Sequence, residues 1–378
     1  MLETIAITRI TLREIHLPLR ETFRISSGMT STRRILLLEL TDRDGVATWS
    51  ECTAGERPNY SPETIDTAWL AIGEWVAPRV LGREFGGPQE IHAALERDFR
   101  GHNMAKAAVE MGGWALAAER RAVSLTATLG GTRAKIATGI SLGIQPDPES
   151  LARVAREARA EGYRKIKCKI APGADLEYLA AAREALGPDA PLMADANSAY
   201  TLDDADHLAR LDELDLLMIE QPLANDDLVR HAELQKRLKT PICLDESITG
   251  VDRAEDMLAL GAGKIINIKP ARVGGFTSAK AIHDLCAARG VPVWHGGMLE
   301  SGIGRAYNVA LASLANFTIP GDVSPSARYW EQDIVTPEWT MSEDGMVSVP
   351  YDRPGLGIAV NMDRIDELTV RRARLVAE

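Results

Sequence analysis

The sequence predicts an α/β protein, a TIM-type (β/α)-barrel of the modified kind that carries an α+β capping domain, and three observations predict it. At 378 residues the chain is long enough for a barrel, which takes about 250 residues, with a smaller domain to spare. Near residue 130 its character changes, from alternating strand patterns followed by helical ones to short apolar runs alternating with Ala/Arg/Glu/Leu-rich helices. Finally, Lys169, Asp195, Glu220, Asp245 and Lys269 stand near the ends of successive candidate strands at intervals of 26, 25, 25 and 24 residues, close to the roughly 25 residues of one compact βα unit.

From Ile5 to about Glu51 apolar and polar residues alternate, and RRILLLEL and VATWSE read as strands around the turn Asp44-Gly45. Residues 21–31, with Ser26, Ser27 and Gly28, suit either a lid or an ordinary surface hairpin. Helical spacing follows near 61–81, 88–98 and 103–121, the first announced by Ser61-Pro62 before Glu63-Thr64. These segments predict an N-terminal capping domain over 1–130. Eight candidate strands come next: IATGIS (136–141), KIKCKI (165–170), PLMADAN (191–197), LLMIEQP (216–222), PICLDES (241–247), IINIKP (265–270), PVWHGG (292–297) and NFTIPG (316–321). They predict a barrel over 131–325, and a tail over 326–378 that packs back on the capping domain.

Composition narrows the function. A net charge of −11 argues against nucleic-acid binding, which needs a basic face, and favours a small molecule or a protein as partner. No long apolar run suggests a membrane span, and the first residues lack the apolar stretch of a signal peptide, so a cytoplasmic enzyme is expected. Cys52, Cys168, Cys243 and Cys286 are far apart and read as reduced thiols rather than as a zinc site or disulfides.

The equal spacing puts the five charged residues at one level of the C-terminal face, where barrel enzymes keep their active sites. Three inward carboxylates repel one another unless a hard cation lies between them, so Asp195, Glu220 and Asp245 are the expected ligands of Mg2+ or Mn2+. Strands two and six of a closed eight-stranded barrel are diametrically opposed, so Lys169 and Lys269 face each other across that cation. A proton next to a carboxylate can then leave on one face and return on the other, through an enediolate. Lys167, of the same strand parity as Lys169, and Arg272, three residues after Lys269, add positive charge expected to lower the lysines toward neutrality. Asn197 and Glu246 are either outer groups supporting the ligands or helix caps, and His295 reads as a satisfied strand-end histidine rather than a ligand.

On these residues the chain resembles the enolase superfamily, and within it the muconate-lactonizing-enzyme subgroup: KIKCKI carries its K-x-K motif, DAN, EQP and DES its acids, NIKPARVGG its second lysine. GISLGI, HGGMLESGIGR and GDVSPSARYWEQD resemble the o-succinylbenzoate synthase / N-succinylamino-acid racemase family, and the resemblance covers essentially the whole chain. It implies one Mg2+ (or Mn2+ or Co2+) per subunit, a homo-oligomer and a small-molecule carboxylate substrate. It also implies a pocket of Ser141, Gly297, Met298, Leu299 and Tyr329, with Phe23 from a capping loop and Asn197 and Arg272 beside the charged groups. The implied reaction is racemisation of N-acyl (N-succinyl) amino acids, with dehydration to o-succinylbenzoate as the alternative. A muconate cycloisomerase, a dipeptide epimerase and a catalytically inert binding barrel fit less well. Two departures stand out: PGAD replaces the usual PGWD after KIKCKI, and His295 stands where cysteine is common.

Overall fold

A computed structural model describes residues 4–25 and 28–377, with side chains over 4–22 and 30–377. Ser26, Ser27 and the side chain of Phe23 therefore lie outside the described residues; the backbone around them pairs as a hairpin, Arg24 with Met29 and Ile25 with Gly28. That hairpin joins strands Ile7–Ile25 and Gly28–Asp42. Ala47–Cys52 pairs with the second strand and Thr369–Val376, from the tail, with the first, giving one four-stranded antiparallel sheet. Ile35 to Leu38 and Leu40 are all buried, because helix Asn103–Arg120, buried from Met104 through Ala118, packs against this sheet. Gly112 lets it approach: a Cβ there would lie 2.7 Å from Leu40.

The first helix starts later than Ser61-Pro62 suggests. Thr64 is the N-cap of Ile65–Ala71, exchanging side-chain and backbone hydrogen bonds with Thr67. The segment Gly55–Thr64 instead forms a loop closed by the Ile65 amide donating to the Gly55 carbonyl at 2.8 Å.

Seven parallel strands follow, Ile140–Leu142, Ile166–Lys169, Leu192–Asp195, Ile219–Glu220, Ile242–Leu244, Ile265–Ile268 and Val293–His295, paired in sequence order. Two expected staves differ. IATGIS splits at Thr138-Gly139: Lys135–Ala137 pairs with Met346–Ser348 of the tail, and only Ile140–Leu142 joins the barrel. The break falls where Lys165 crosses, since a Cβ on Gly139 would lie within 2.9 Å of three Lys165 atoms. NFTIPG forms no regular strand, as Pro320 has no amide to donate, yet it closes the ring. The Asp322 amide donates to the His295 carbonyl at 2.8 Å on one side, and the Gly139 amide to the Gly321 carbonyl at 2.7 Å on the other. The fold is thus a modified TIM barrel with a capping layer. Among the described residues no helix is long and apolar enough to cross a membrane.

Two buried carboxylates from the N-terminal half cap barrel helices. Glu110 accepts from the amides of Phe276 (2.7 Å) and Thr277 (3.0 Å), which open Phe276–Ala288. Glu51 accepts from the amides of Ser301 and Gly304 (both 3.1 Å) at the start of Gly302–Ala312. Burial raises both carboxyls, Glu51 to about 8, but their oxygens still meet N–H groups that a helix N-terminus leaves unpaired, so these contacts hold the cap over the barrel mouth.

Candidate active site

Strand register sets the level of the charged residues. Lys169 pairs with Asp195 and Asp195 with Glu220, while Asp245 and Lys269 each follow their strands by one residue. On the second barrel strand Lys165, Lys167 and Lys169 alternate with Ile166 and Cys168, so the lysines turn inward and the apolar residues face the helices. Asp195, Glu220, Asp245 and Lys269 are all buried.

The five charged groups meet as ion pairs. Lys169 Nζ donates to Asp195 Oδ2 (2.6 Å) and Asn197 Oδ1 (2.7 Å). Lys167 Nζ lies 3.3 Å from both Asp195 and Glu220 and 2.7 Å from Asp322 Oδ2. On the far side Lys269 Nζ donates to Asp245 Oδ2 (2.8 Å), and Arg272 bonds the other oxygen of the same carboxylate. Asn267 Nδ2 donates to Glu220 Oε1 at 2.6 Å.

These contacts act against the lowering expected at Lys269, and they raise its neighbour Lys167 as well. Burial does disfavour both ammonium groups, but Asp245 outweighs it at Lys269, and Asp322, Glu220 and Asp195 outweigh it at Lys167, so both are raised. Asp195 and Asp245, penalised by burial, are nonetheless held below the ordinary carboxylate range by Lys169 and Lys167 and by Lys269 and Arg272, respectively. Glu220 goes the other way, pushed up to about 8 by burial and then by Asp195 and Asp245.

A buried, mutually repelling, all-oxygen cluster fits a hard divalent cation. As they stand the oxygens turn to the lysines instead: among the described residues no three His, Cys, Asp or Glu side chains are gathered closely enough to hold an ion. The ammonium groups occupy the neutralising role that such an ion would take.

The other expected residues are placed as follows. Asn197, at φ +43°, bridges Lys169 and, through Nδ2, Glu246 Oε1 at 3.0 Å; it caps no helix. Burial, followed by Asp245, pushes Glu246 up to about 7. Ser141 pairs in register with Lys167, and its buried hydroxyl has no partner among the described residues. Met298 lines a small cavity beside Lys269, between Gly297 and Leu299, which has φ +58°. Tyr329 is buried with Arg305 and Arg328 on its ring. His295 is not the satisfied residue expected: both ring nitrogens are buried without partners among the described residues, and burial lowers it to about 4. The chain turns past Trp294, which points inward, so His295 points into the barrel wall beside Phe317.

Sequence reasoning missed four groups. Lys165 extends K-x-K to K-x-K-x-K at the same parity and lies 3.4 Å from the centroid of the Trp294 ring; that signal was readable. Asp322, which joins Lys165 and Lys167, directly follows the eighth candidate strand and was equally readable. Gln221 accepts from the Asp245 amide at 3.1 Å and donates to Ser247. Tyr60 comes from the capping loop, and its hydroxyl donates to Asp245 Oδ1 at 2.8 Å. A cavity of about 410 Å³ opens beside it between Pro58–Pro62 of the cap and Asn197, Ser198, Asn225 and Glu246 of the barrel.

Comparison with known proteins agrees with this architecture. Residues 7–130 match the mandelate racemase / muconate lactonizing enzyme N-terminal domain, and residues 150–364 the enolase C-terminal domain-like family. The chain is 48% identical to an o-succinylbenzoate synthase from Geobacillus stearothermophilus over 97% of its length and 96% of the relative's. It is 47% identical to an N-succinylamino acid racemase from Thermus thermophilus, over 95% of each chain. Its fold superposes on a crystal structure of an enolase-superfamily member from Listeria innocua with a TM-score of 0.95 at 38% identity, covering 99% of this chain and 100% of that one. Matches of this extent over both halves, at a site of inward lysines and acids on consecutive staves, place the chain in the enolase superfamily, whose members use a divalent metal, and within it in the o-succinylbenzoate synthase / N-succinylamino-acid racemase family of enzymes.

Proposed function

We propose that this enzyme racemises N-acyl amino acids, N-succinyl amino acids above all, by passing the α-proton between Lys169 and Lys269. One observation carries the reading: the two lysines end staves two and six of an eight-membered ring, with the three acids on staves three to five between them. Staves four apart face each other, so the two ammonium groups address opposite faces of a substrate held at the centre.

Two-base transfer needs one lysine neutral to take the proton and the other charged to deliver it. Asp245 holds the proton on Lys269, which suits it as the donor of that pair, while Arg272 shares the carboxylate and limits how tightly Lys269 is bound. Asp195, Glu220 and Asp245 would hold one divalent cation per subunit, Mg2+ with Mn2+ and Co2+ as substitutes. When bound it would anchor the substrate carboxylate and stabilise the negative charge that builds as the α-proton leaves. Lys167, pinned by Asp322, keeps the acid cluster compensated. Ser141 offers its unpartnered hydroxyl to a polar acyl group, and Phe23, Asn197, Gly297, Met298, Leu299 and Tyr329 complete the assigned pocket. The same reading includes a homo-oligomer in the cytoplasm.

A second reading is dehydration to o-succinylbenzoate, with Lys169 removing the proton and then protonating the departing hydroxyl while Lys269 stays a cation. The raised proton affinity of Lys269 and the Geobacillus stearothermophilus relative favour it.

Proton NMR of single enantiomers of N-succinyl amino acids in D2O with Mg2+, read together with optical rotation, separates the two. Exchange of the α-proton with loss of rotation is the expected result. Exchange with rotation retained gives first place to dehydration, and no exchange at all overturns the acyl-amino-acid reading.

A further inference from the structure

Tyr60 reaches the site from outside the barrel. It belongs to the loop Gly55–Thr64 of the capping half, yet its side chain touches three charged groups at once. The hydroxyl donates to Asp245 Oδ1 (2.8 Å) and accepts from Arg272 Nη1 (3.2 Å), and Lys269 Nζ lies 4.4 Å from the centroid of its ring. Among the described residues Lys169 has no aromatic ring against it: it donates to Asp195 and Asn197, both from the barrel.

The chemistry of this contact is asymmetric. Asp245 serves two cations, one on each oxygen, so it cannot by itself fix the long and flexible lysine side chain. The ring face supplies a second hold that attracts the ammonium and has little attraction for the neutral amine. The hydroxyl in turn sets the carboxylate, because donating to Oδ1 leaves Oδ2 turned to Lys269.

We propose that Tyr60 is a positioning residue for Lys269 alone, so that the capping loop controls one of the two proton-transfer faces and leaves the other to the barrel. This rests on the two-lysine reading above. With Tyr60 in place, an enediolate formed at Lys169 is reprotonated from the Lys269 side; without it, the proton returns from Lys169 and the substrate keeps its configuration.

The test measures partition rather than rate. The enantiomer deprotonated by Lys169 is identified as the one that still exchanges its α-proton in Lys269→Ala. With that enantiomer of N-succinylphenylalanine in D2O and Mg2+, NMR and chiral chromatography give the ratio of exchange with retention to inversion. Tyr60→Leu is expected to raise this ratio by about tenfold, and Tyr60→Phe, which keeps the ring, by less. A uniform slowing of both processes in Tyr60→Leu, with the ratio of the parent, overturns the proposal and leaves Tyr60 a structural residue. Tyr60→Phe, differing by one hydroxyl, keeps the test valid should Tyr60→Leu fail to fold: an unchanged ratio there assigns nothing to the hydroxyl and overturns that half of the proposal. Absence of exchange and inversion in the parent enzyme would instead count against the two-lysine reading itself.

Discussion

At the scale of single residues the site is governed by which carboxylate each cation meets. Lys169 and Lys269 donate to different acids, Asp195 and Asp245, so each loss should silence a different face of the substrate. Lys169→Ala and Lys269→Ala are each expected to reduce racemisation by about 10²–10⁴-fold, each keeping α-proton exchange for one enantiomer only. Chiral analysis beside NMR checks this, and parental racemisation in either variant would exclude a two-base mechanism. His231 acts behind the site. Its Nε2 accepts from the Leu223 amide at 3.2 Å and its Nδ1 donates to the Asp227 carbonyl at 2.6 Å, so the buried ring is neutral, and burial lowers its pKa below the ordinary 6.5. The unfolded chain then binds a proton below pH 6.5 that the folded one refuses. The ring's contribution is therefore intact above pH 6.5 and declines as pH falls, by at most about 1.4 kcal/mol per pH unit. His231→Gln should lower Tm at pH 7.5 but flatten its fall between pH 6.5 and 5; a parallel fall in both proteins would remove His231 from the acid response.

At the scale of elements, helix ends join the two halves of the molecule. Glu110 is buried in the long capping-half helix and accepts from two amides, the Thr277 hydroxyl and the Trp114 indole (2.8 Å). Gly275 makes room for it, at φ +119° and with a Cβ position only 2.3 Å from the carboxylate. Glu110→Ala strands these buried donors and should cost about 3 kcal/mol, with Glu110→Gln intermediate. Urea unfolding measures the difference, and a loss below about 0.5 kcal/mol would mean that water replaces the carboxylate. The barrel staves obey a related local logic. NFTIPG closes the ring without becoming a strand, because proline and glycine allow pairing by isolated bridges but not a continuous ladder.

At the scale of the whole molecule, buried charge is the organising fact. Asp195, Glu220 and Asp245 share one interior with Lys167, Lys169, Lys269 and Arg272, and a divalent ion would add to the neutralisation that these cations supply. Removing metal with EDTA is expected to abolish turnover and to leave a folded protein. Adding Mg2+ at about 100 times its Kd should then stabilise the fold by about 2.7 kcal/mol, seen as a rise in Tm; no rise would mean that the ion does not bind the folded chain at this cluster. The barrel, its mouth and the charged residues Lys169, Asp195, Glu220, Asp245 and Lys269 were legible in the sequence, because strand parity and the repeat of one βα unit are local and survive in one dimension. The proton affinity of Lys269 was not, since the sequence neighbour Arg272 suggested lowering whereas Asp245, 2.8 Å away, raises it. Nor were Tyr60 on Lys269, Glu51 and Glu110 on barrel helices, or the unpaired His295. Each depends on a partner far away in the chain, or on the lack of one. The sequence by itself determined which chemical groups reach the barrel mouth, through periodicity. Only the tertiary structure decided which of them touch, because that depends on how the cap is seated over the barrel.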